Sequence, residues 1–241
     1  MRYAIISDIH ANLEAAEACL RKIDELKADR IICLGDLVDY GAEPNEVCDL
    51  ILKHTDINIL GNHDEAQFNI SVADGFSELA YISSLHTRDL LREDLRELFK
   101  SFPLIHSEND LLFVHSSPLN PEMYSYVLNE SSAYLNFKSF IQKICFIGHS
   151  HLPVIFKLNG NNIITLNDKH IVIENNSRYI INVGSVGQPR DRDPRLSFGF
   201  IDTENMIYDN VRVNYNIEVT VRKILGAGLP GFLALRLTEG I

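Results

Sequence analysis

The sequence predicts an α/β fold, in which helices cover a parallel sheet and a second layer of short strands packs on it. Three observations support this prediction. Short, unbroken apolar runs alternate with helical periodicity in the first part of the chain, as in a buried parallel sheet. From residue 154 onward, short strands separated by turn residues replace the helices. The 241 residues, 46% of them hydrophobic, suffice for one large core, so we expect a single domain over residues 1–241.

The chain opens with a predicted strand–helix–strand unit. The run from Tyr3 to Ile6 is apolar and unbroken, and apolar residues then recur at helical spacing up to Leu26. Asn12 is the expected N-cap of this helix, because its side chain can accept a hydrogen bond from a free N–H of the first turn. A strand, a helix and a strand are expected next, at residues 30–34, 45–52 and 57–60.

The middle of the chain is predicted to be helical at residues 77–102, with an apolar face marked by Leu90, Leu91, Leu95 and Leu98. Two strands should then form a hairpin, at residues 104–106 and 111–114 around a turn at 107–110. A tyrosine-rich loop follows at residues 119–134, and it either contacts substrate or simply packs on the domain. These elements belong to a helical and loop segment at about residues 65–143, which we expect to cover part of the site.

The last part of the chain is predicted to add a second, antiparallel sheet and two short closing helices. After a strand at residues 144–147, the antiparallel strands are expected at residues 154–158, 163–166, 171–174 and 179–183, two further strands at residues 197–202 and 208–213, and the helices at residues 219–225 and 232–237. Residues 182–191 form a glycine-rich loop. Its backbone N–H groups and Arg190 suit a phosphate, although a plain connector is an equally good interpretation.

Composition restricts the function classes. The net charge of −11 disfavours sequence-independent binding to nucleic acid, which requires clustered Lys and Arg. The four cysteines have no paired spacing and lie in apolar segments, as expected for reduced thiols. The sequence shows no secretory leader and no apolar run of membrane-spanning length, so we expect a cytoplasmic protein without a membrane partner. A homo-oligomer stays open.

The first motif that suggests chemistry is Asp8-x-His10, directly after the first strand. If the backbone continues in an extended conformation, side chains at i and i+2 lie on one side and can reach the same object. A carboxylate oxygen and an imidazole nitrogen together suit a transition metal. Taken alone, the pair is equally typical of a helix start with a capping Asp.

The same arrangement, a strand followed by a metal-type ligand, recurs four more times. The recurrences are Gly35-Asp36, Gly61-Asn62-His63-Asp64, His115 and Gly148-His149-Ser150-His151. Each has an ordinary alternative explanation as a turn, a surface loop or a structural histidine. In open α/β sheets, however, ligands collect at the carboxyl ends of the strands, so we expect these side chains to converge.

With His63 set aside, the converging side chains offer two carboxylates, one amide and four imidazoles. They are Asp8, Asp36, Asn62, His10, His115, His149 and His151. A single first-row metal does not accept seven such donors, whereas two metals that share one carboxylate do. Two-metal sites are a common device for phosphate-ester hydrolysis. Nitrogen and oxygen donors without thiolates favour manganese, iron or zinc over magnesium or calcium.

In order and spacing, these motifs resemble the five signature motifs of the calcineurin-like metallophosphoesterase superfamily. The motifs are Asp8-x-His10, Gly35-Asp36-x-x-Asp39, Gly61-Asn62-His63-Asp64, the His115 strand end and Gly148-His149-x-His151. Within that superfamily the chain is similar to small bacterial and archaeal phosphodiesterases, including the segment Asn182 to Ser185. The resemblance extends from Ile5 to about Ile201, and it implies a two-sheet β-sandwich flanked by helices.

The resemblance also implies roles for these residues. One metal ion would be bound by Asp8, His10 and His151, the second by Asn62, His115 and His149, and Asp36 would bridge them. A hydroxide between the metals would attack phosphorus, and His63 would protonate the leaving group. Asp64 or Asp39 is expected to orient His63, since carboxylates commonly orient imidazoles. The expected substrate-binding residues are Arg190, Asn62 and Tyr124.

The function that follows is metal-dependent hydrolysis of phosphate esters, with phosphodiester or nucleotide-type small molecules as the expected substrates. Two alternatives from other classes are a serine/threonine-type protein phosphatase and a catalytically silent metal-binding scaffold. The acidic surface and the lack of long recognition insertions give the phosphatase less support. The presence of His63 and of every ligand position argues against the silent scaffold.

Overall fold

The computed structural model describes residues 1–241, and its helices and strands are arranged in two mixed sheets flanked by helices. The strands are β1 (Arg2–Ile6), β2 (Arg30–Cys33), β3 (Ile57–Asn58), β4 (Ile105–Glu108), β5 (Leu111–Val114), β6 (Ile144–Ile147), β7 (Val154–Asn159), β8 (Asn162–Leu166), β9 (His170–Val172), β10 (Ser177–Asn182), β11 (Leu196–Asp202) and β12 (Ile207–Val213). The α-helices are α1 (Leu13–Leu26), α2 (Pro44–His54), α3 (Asn62–Ala66), α4 (Glu78–Leu90), α5 (Glu93–Phe99), α6 (Glu130–Asn136), α7 (Ile217–Gly226) and α8 (Gly231–Glu239). No helix is both long and apolar enough to cross a membrane.

The two sheets have six strands each, in the orders β3-β2-β1-β11-β12-β9 and β4-β5-β6-β10-β7-β8. In the first sheet β1, β2 and β3 are parallel, and in the second sheet β5, β6 and β10 are parallel. The remaining neighbours are antiparallel. This architecture confirms the predicted two-sheet β-sandwich flanked by helices.

Strand β1 shows how an unbroken apolar run produces this arrangement. Because side chains alternate along a strand, Tyr3 and Ile5 pack between the two sheets while Ala4 and Ile6 pack under the helices. Both faces are therefore buried, as an all-apolar strand requires. On the helix side α1 is capped as predicted, since the Asn12 side chain accepts a hydrogen bond from the N–H of Ala15 at 3.1 Å.

The predicted helix at residues 77–102 is wrong in one respect, because the chain forms two helices, α4 and α5, with a break at Leu91 and Arg92. The break resets the helical phase. Leu91 and Leu95 are buried as predicted, but Leu90 and Leu98 are 48% and 41% exposed and do not belong to the buried face.

Four further details differ from the sequence-based expectation. Strand β9, predicted for the second sheet, pairs with β12 in the first sheet, whereas β10 is antiparallel to β7 as predicted. The hairpin turn is only Asn109-Asp110, whose positive φ values of 49° and 65° let two residues reverse the chain. Tyr134 lies in helix α6 rather than in the tyrosine-rich loop. The segment after β3 begins a helix, α3, at Asn62.

Candidate metal centre

The carboxyl ends of parallel strands from both sheets open on one edge of the sandwich. Asp8 and Asp36 follow β1 and β2 of the first sheet, and His115 and His149 follow β5 and β6 of the second. The segments that follow β1 and β2 are hydrogen-bonded to each other, since the backbone N–H of Asp8 donates to the carbonyl of Gly35 at 3.0 Å. The expected convergence of these side chains is therefore present.

Asp8 and His10 belong to one ligand group as predicted, but the backbone that carries them is not extended, so the i, i+2 geometry of a strand is not the reason. Asp8, His10, Asp36, His149 and His151 all have left-handed φ values, between 50° and 65°. Such conformations cost of order 1–3 kcal/mol each for residues other than glycine, and they persist only where the surrounding structure holds them. As a result, His149 and His151 belong to different ligand groups although they are two residues apart.

Two glycines let these segments approach one another. Gly35 has a φ of 101°, and a Cβ there would lie 2.5 Å from the backbone nitrogen of Gly61. A Cβ at Gly148 would lie 2.6 Å from Oδ2 of Asp8. Any side chain at either position would displace the ligand-bearing backbone.

The first group of candidate ligands consists of Asp8, His10 and His151, all buried, with donor atoms within 4.8 Å of one another. Nε2 of His10 lies 3.2 Å from Nε2 of His151, and the latter atom lies 3.3 Å from Oδ1 of Asp8. Nδ1 of His10 is 2.8 Å from the carbonyl of Val38, and Nδ1 of His151 is 2.6 Å from the carbonyl of Gln188.

These backbone contacts fix the tautomers of the two imidazoles. A carbonyl only accepts, so each Nδ1 carries the proton and donates it. In the neutral rings, Nε2 of His10 and Nε2 of His151 then each carry a lone pair and no proton. The two atoms lie 3.2 Å apart but cannot form a hydrogen bond with each other. Two facing lone pairs at this distance repel unless a cation lies between them, which is the arrangement expected of a metal site.

The second group consists of Asp36, His115 and His149, again within 4.8 Å of one another. Nδ1 of His115 donates to the carbonyl of Leu34 at 2.9 Å, so its Nε2 faces Nδ1 of His149 at 3.2 Å. The amide oxygen of Asn62 lies 3.1 Å from the same Nε2. The four side chains therefore present two imidazole nitrogens, a carboxylate and an amide oxygen to one point.

Asp36 lies between the two groups. Its Oδ2 is 3.2 Å from Nε2 of His115 and 3.8 Å from Nε2 of His10, which belongs to the other group. This oxygen is buried and accepts no hydrogen bond, whereas Oδ1 accepts one from the backbone N–H of His63 at 2.9 Å. A buried carboxylate oxygen without a donor is costly, and a pair of cations would satisfy it.

Two of the candidate imidazole ligands are neutral, as metal binding requires. Burial lowers the pKa of His149 to about 3 and the pKa of His10 well below its ordinary value, so both rings are neutral. Burial also lowers the pKa of His115, but the Asp36 carboxylate outweighs it and raises that pKa to about 9. His115 must lose this proton before its Nε2 can bind a cation, so metal binding at this group should release a proton.

His63 stands beside the ligands but belongs to neither group. Its Nδ1 lies 2.7 Å from Oδ2 of Asp39, whose other oxygen accepts a hydrogen bond from Gln67 at 3.0 Å. Asp64 contacts the backbone instead, accepting from the N–H groups of Asp36 and Leu37 at 2.8 Å. Of the two carboxylates expected to orient His63, only Asp39 contacts it.

Residues 1–206 match the family model described as the calcineurin-like phosphoesterase superfamily domain. The chain belongs to this superfamily. An uncharacterized protein from Methanocaldococcus jannaschii is 35% identical to it over 241 residues, which cover 98% of this chain and 97% of that protein. Family membership and the two ligand groups support a phosphoester hydrolase that depends on metal.

Solved structures show the same relationship. A metallophosphoesterase from Sphaerobacter thermophilus is 36% identical, covers 100% of this chain and 99% of its own, and superposes with a TM-score of 0.87. A hypothetical protein from Pyrococcus horikoshii shares the fold, with 19% identity, coverage of 100% and 98%, and a TM-score of 0.81. The predicted superfamily is thereby confirmed.

In this phosphoesterase the ligands open into a cavity of about 430 Å³. The residues expected to bind substrate, Asn62, Tyr124 and Arg190, all line it. The Tyr124 hydroxyl donates to Glu65 at 2.6 Å, and the Tyr126 ring stacks on His149 with centroids 4.2 Å apart.

Sequence reasoning missed several lining residues, namely Tyr40, Phe76, Met123 and Arg236. Tyr40 follows Asp39 of a motif and could have been found from that position. Phe76 and Met123 come from the segment expected to cover the site, where the sequence gives no residue-level signal. Arg236 lies on α8, beyond the part of the chain that matches the superfamily model, and no motif marks it.

Proposed function

We propose that this chain is a dinuclear-metal phosphoesterase that hydrolyses phosphodiester or nucleotide-type small molecules. The observation that carries the proposal is the position of Asp36, whose donor-free oxygen lies within 4 Å of a histidine from each ligand group. One carboxylate shared between two three-residue groups is the arrangement that a two-metal phosphoesterase needs.

The donor set fits such ions. Nitrogen and oxygen donors without thiolates favour manganese, iron or zinc. One ion would be held by Asp8, His10 and His151, the other by Asn62, His115 and His149, with Asp36 shared. When bound, the pair would supply Lewis-acid polarisation of the phosphoryl group and would lower the pKa of water.

His63 is the proposed proton donor to the leaving group. Because Asp39 accepts from Nδ1, the ring is held with Nε2 free to deliver a proton to an ester oxygen in the cavity. Burial lowers the pKa of His63, but the Asp36 and Asp39 carboxylates outweigh it and raise that pKa above its usual value. This balance favours the protonated imidazole, which a general acid needs.

The two flanking carboxylates are assigned different tasks. Asp39 orients His63 directly. Asp64 fixes the backbone of Asp36 and Leu37 by accepting both of their N–H groups, so we propose that it positions the shared ligand rather than the general acid.

The cavity supports a small ester as substrate rather than a phosphorylated protein. Its walls include Phe76, two residues before α4, and Met123 and Tyr124 from the tyrosine-rich loop, together with the ligands Asp36, Asn62, His149 and His151. Arg190, Asn62 and Tyr124 are the proposed contacts to substrate.

A combined metal and turnover measurement tests the proposal. Protein loaded with manganese, iron or zinc is analysed for bound metal and assayed with bis(p-nitrophenyl) phosphate, AMP and a phosphopeptide panel. We expect about two ions per chain and hydrolysis of the small esters. Protein that binds two ions but turns over only phosphopeptides would favour the protein phosphatase, and a metal-loaded but inactive protein would favour the silent scaffold.

A further inference from the structure

Two arginines line the cavity, and neither contacts the side chain of an Asp or Glu. Arg190, from the loop after β10, donates from Nε and Nη2 to the side-chain oxygen of Gln188 at 3.2 Å and 2.8 Å. Arg236, from α8, donates from Nε to the carbonyl of Ile241 at 2.6 Å. Both Nη groups of Arg236 and Nη1 of Arg190 donate no hydrogen bond, so each arginine leaves N–H donors available to a ligand.

The acidic residues of the same loop are already paired elsewhere. Asp191 pairs with Arg212, and Asp193 pairs with Arg195. The loop therefore directs its carboxylates away from the cavity and Arg190 into it. The chain as a whole has a net charge of −11. This wall of the cavity is positively charged instead, because it carries two arginines and no acidic side chain.

The two positive charges act on one another. Burial, and after it the charge of Arg190, lower the pKa of Arg236 to about 10. The guanidinium carbon of Arg190 lies 5.7 Å from the centre of the Tyr40 ring, which stands between this wall and His10. Two like charges that are partly buried together are unfavourable unless an anion joins them.

The backbone holds Arg236 in this position. The carbonyl of Gly240, just after α8, accepts a hydrogen bond from the backbone N–H of Arg192 at 2.7 Å, which ties the end of the helix to the loop that carries Arg190. In α7, the helix that precedes α8, Lys223 pairs with Glu14 and Glu43. The two arginines are thus presented by one connected surface.

Hydrogen bonds through Gln188 link Arg190 to the metal ligand His151, whereas the side chain of Arg236 donates only to Ile241. The charge of Arg190 influences the pKa of His63 and of His151, and Gln188 contacts both Arg190 and the His151 ring. The ionisable groups that influence Arg236 are Arg190 and Tyr40. We therefore expect a phosphate at the metal ligands to contact Arg190 rather than Arg236, so that a substrate with one phosphate leaves Arg236 without a phosphate partner.

We propose that Arg190 and Arg236 together bind a second phosphate of the substrate, so that the preferred substrates are small molecules with two linked phosphates. This inference rests on the proposed phosphoesterase function. One phosphate lies at the ligand groups, and the next, joined to it through a bridging oxygen, accepts hydrogen bonds from the two guanidinium groups. Arg236, which lies on α8, then determines the specificity for substrates with two phosphates.

The experiment compares one-phosphate and two-phosphate ligands in matched variants. R236Q removes the charge but keeps an N–H donor for the main-chain oxygen of Ile241. R236K keeps the charge but loses the planar guanidinium, which can donate two parallel hydrogen bonds to one phosphate. R222Q, on the exposed face of α7, is the control. Manganese-loaded proteins are assayed with ADP, AMP and bis(p-nitrophenyl) phosphate, and binding of imidodiphosphate and inorganic phosphate is measured by calorimetry.

We expect R236Q to lower kcat/KM for ADP on the order of 10- to 100-fold and to weaken imidodiphosphate binding by a similar factor, with R236K intermediate. AMP, the chromogenic diester and inorganic phosphate should change less than about twofold, as should every value for R222Q. An equal loss on all substrates, or no loss on any, would overturn the inference.

Failure of the proposed phosphoesterase function would give different results from failure of the second phosphate site. Wild-type protein that hydrolyses none of the substrates would remove the phosphoesterase proposal, while the calorimetric preference for imidodiphosphate and its loss in R236Q would still report on the arginine pair. Hydrolysis of the diester without any preference for imidodiphosphate would retain the phosphoesterase and reject the second phosphate site.

Discussion

Nδ1 of His63 lies 2.7 Å from Oδ2 of Asp39, and the carboxylate is completely buried. Asp39 belongs to neither ligand group, so this hydrogen bond does not depend on a bound metal. Gln67 holds the other carboxylate oxygen and also donates to the carbonyl of His63, which gives the pair a fixed orientation. Proton transfer and metal binding are therefore assigned to separate residues, and they can be tested separately.

Replacing His63 tests the proton donor. H63A should lower kcat for bis(p-nitrophenyl) phosphate by about 10²- to 10⁴-fold, because general-acid assistance contributes that much, while both metal ions stay bound. Elemental analysis and steady-state kinetics provide the two measurements. H170A, which changes an exposed histidine, is the control and should behave as wild type. Full activity in H63A would exclude His63 from the reaction.

Replacing Asp39 tests the orientation of His63. D39N keeps the shape of the side chain but loses the charge that faces the imidazole, so kcat should fall on the order of 10- to 100-fold. KM and metal content should change little, since Asp39 contacts neither ligand group. A fall in metal content equal to the fall in kcat would show that Asp39 supports the ligands instead.

Replacing Asp36 tests the shared ligand. D36N removes the oxygen that lies near His115 and His10, so bound metal should fall from about two ions per chain to about one or fewer. Inductively coupled plasma analysis of manganese-loaded protein measures this. D209N alters a more exposed carboxylate and should keep full occupancy. Retention of both ions in D36N would contradict the bridging assignment.

Removal of metal should destabilise the protein, because the buried carboxylates and facing imidazoles lose their counter-charge. Addition of manganese to metal-free protein at about 100 times its Kd should stabilise the fold by about 2.7 kcal/mol, which raises Tm by roughly 5–10 °C for a chain of this size. Differential scanning calorimetry measures the shift. An unchanged Tm in wild type would contradict a built metal site.

A glycine substitution tests the close approach of the two strand ends. G148A places a Cβ 2.0 Å from Oγ of Ser7 and 2.6 Å from Oδ2 of Asp8, so it should cost about 1–3 kcal/mol of unfolding free energy and weaken metal binding. Urea unfolding with and without manganese measures both. G226A, at the end of α7, has open space around its Cβ and should be neutral or slightly stabilising.

The sequence was informative wherever strand position decided the outcome. Apolar runs placed β1, β2, β5 and β6, and the ligand-type residues directly after them had to meet at one edge once those strands were parallel with their neighbours. The donor types then predicted a metal site with mixed nitrogen and oxygen ligands.

The sequence was uninformative wherever tertiary packing decided. Asp8 and His149 have left-handed backbone, which is uncommon even for Asp and His although both are enriched there, so the residue type alone does not predict it. The break between α4 and α5 has no proline or glycine to mark it. Arg236 becomes a cavity residue only because Gly240 is tied to the loop after β10.

Each ligand group draws on both layers of the sandwich: Asp8 and His10 from the first sheet meet His151 from the second, and Asp36 from the first meets His115 and His149 from the second. Once loaded with metal, the centre therefore cross-links the two layers at their open edge. Sliding of one layer over the other would break coordination before the hydrophobic interior separates. On heating, activity should then be lost at a lower temperature than the one at which the chain unfolds globally. The temperature at which activity is lost would report how stably the two sheets pack against each other.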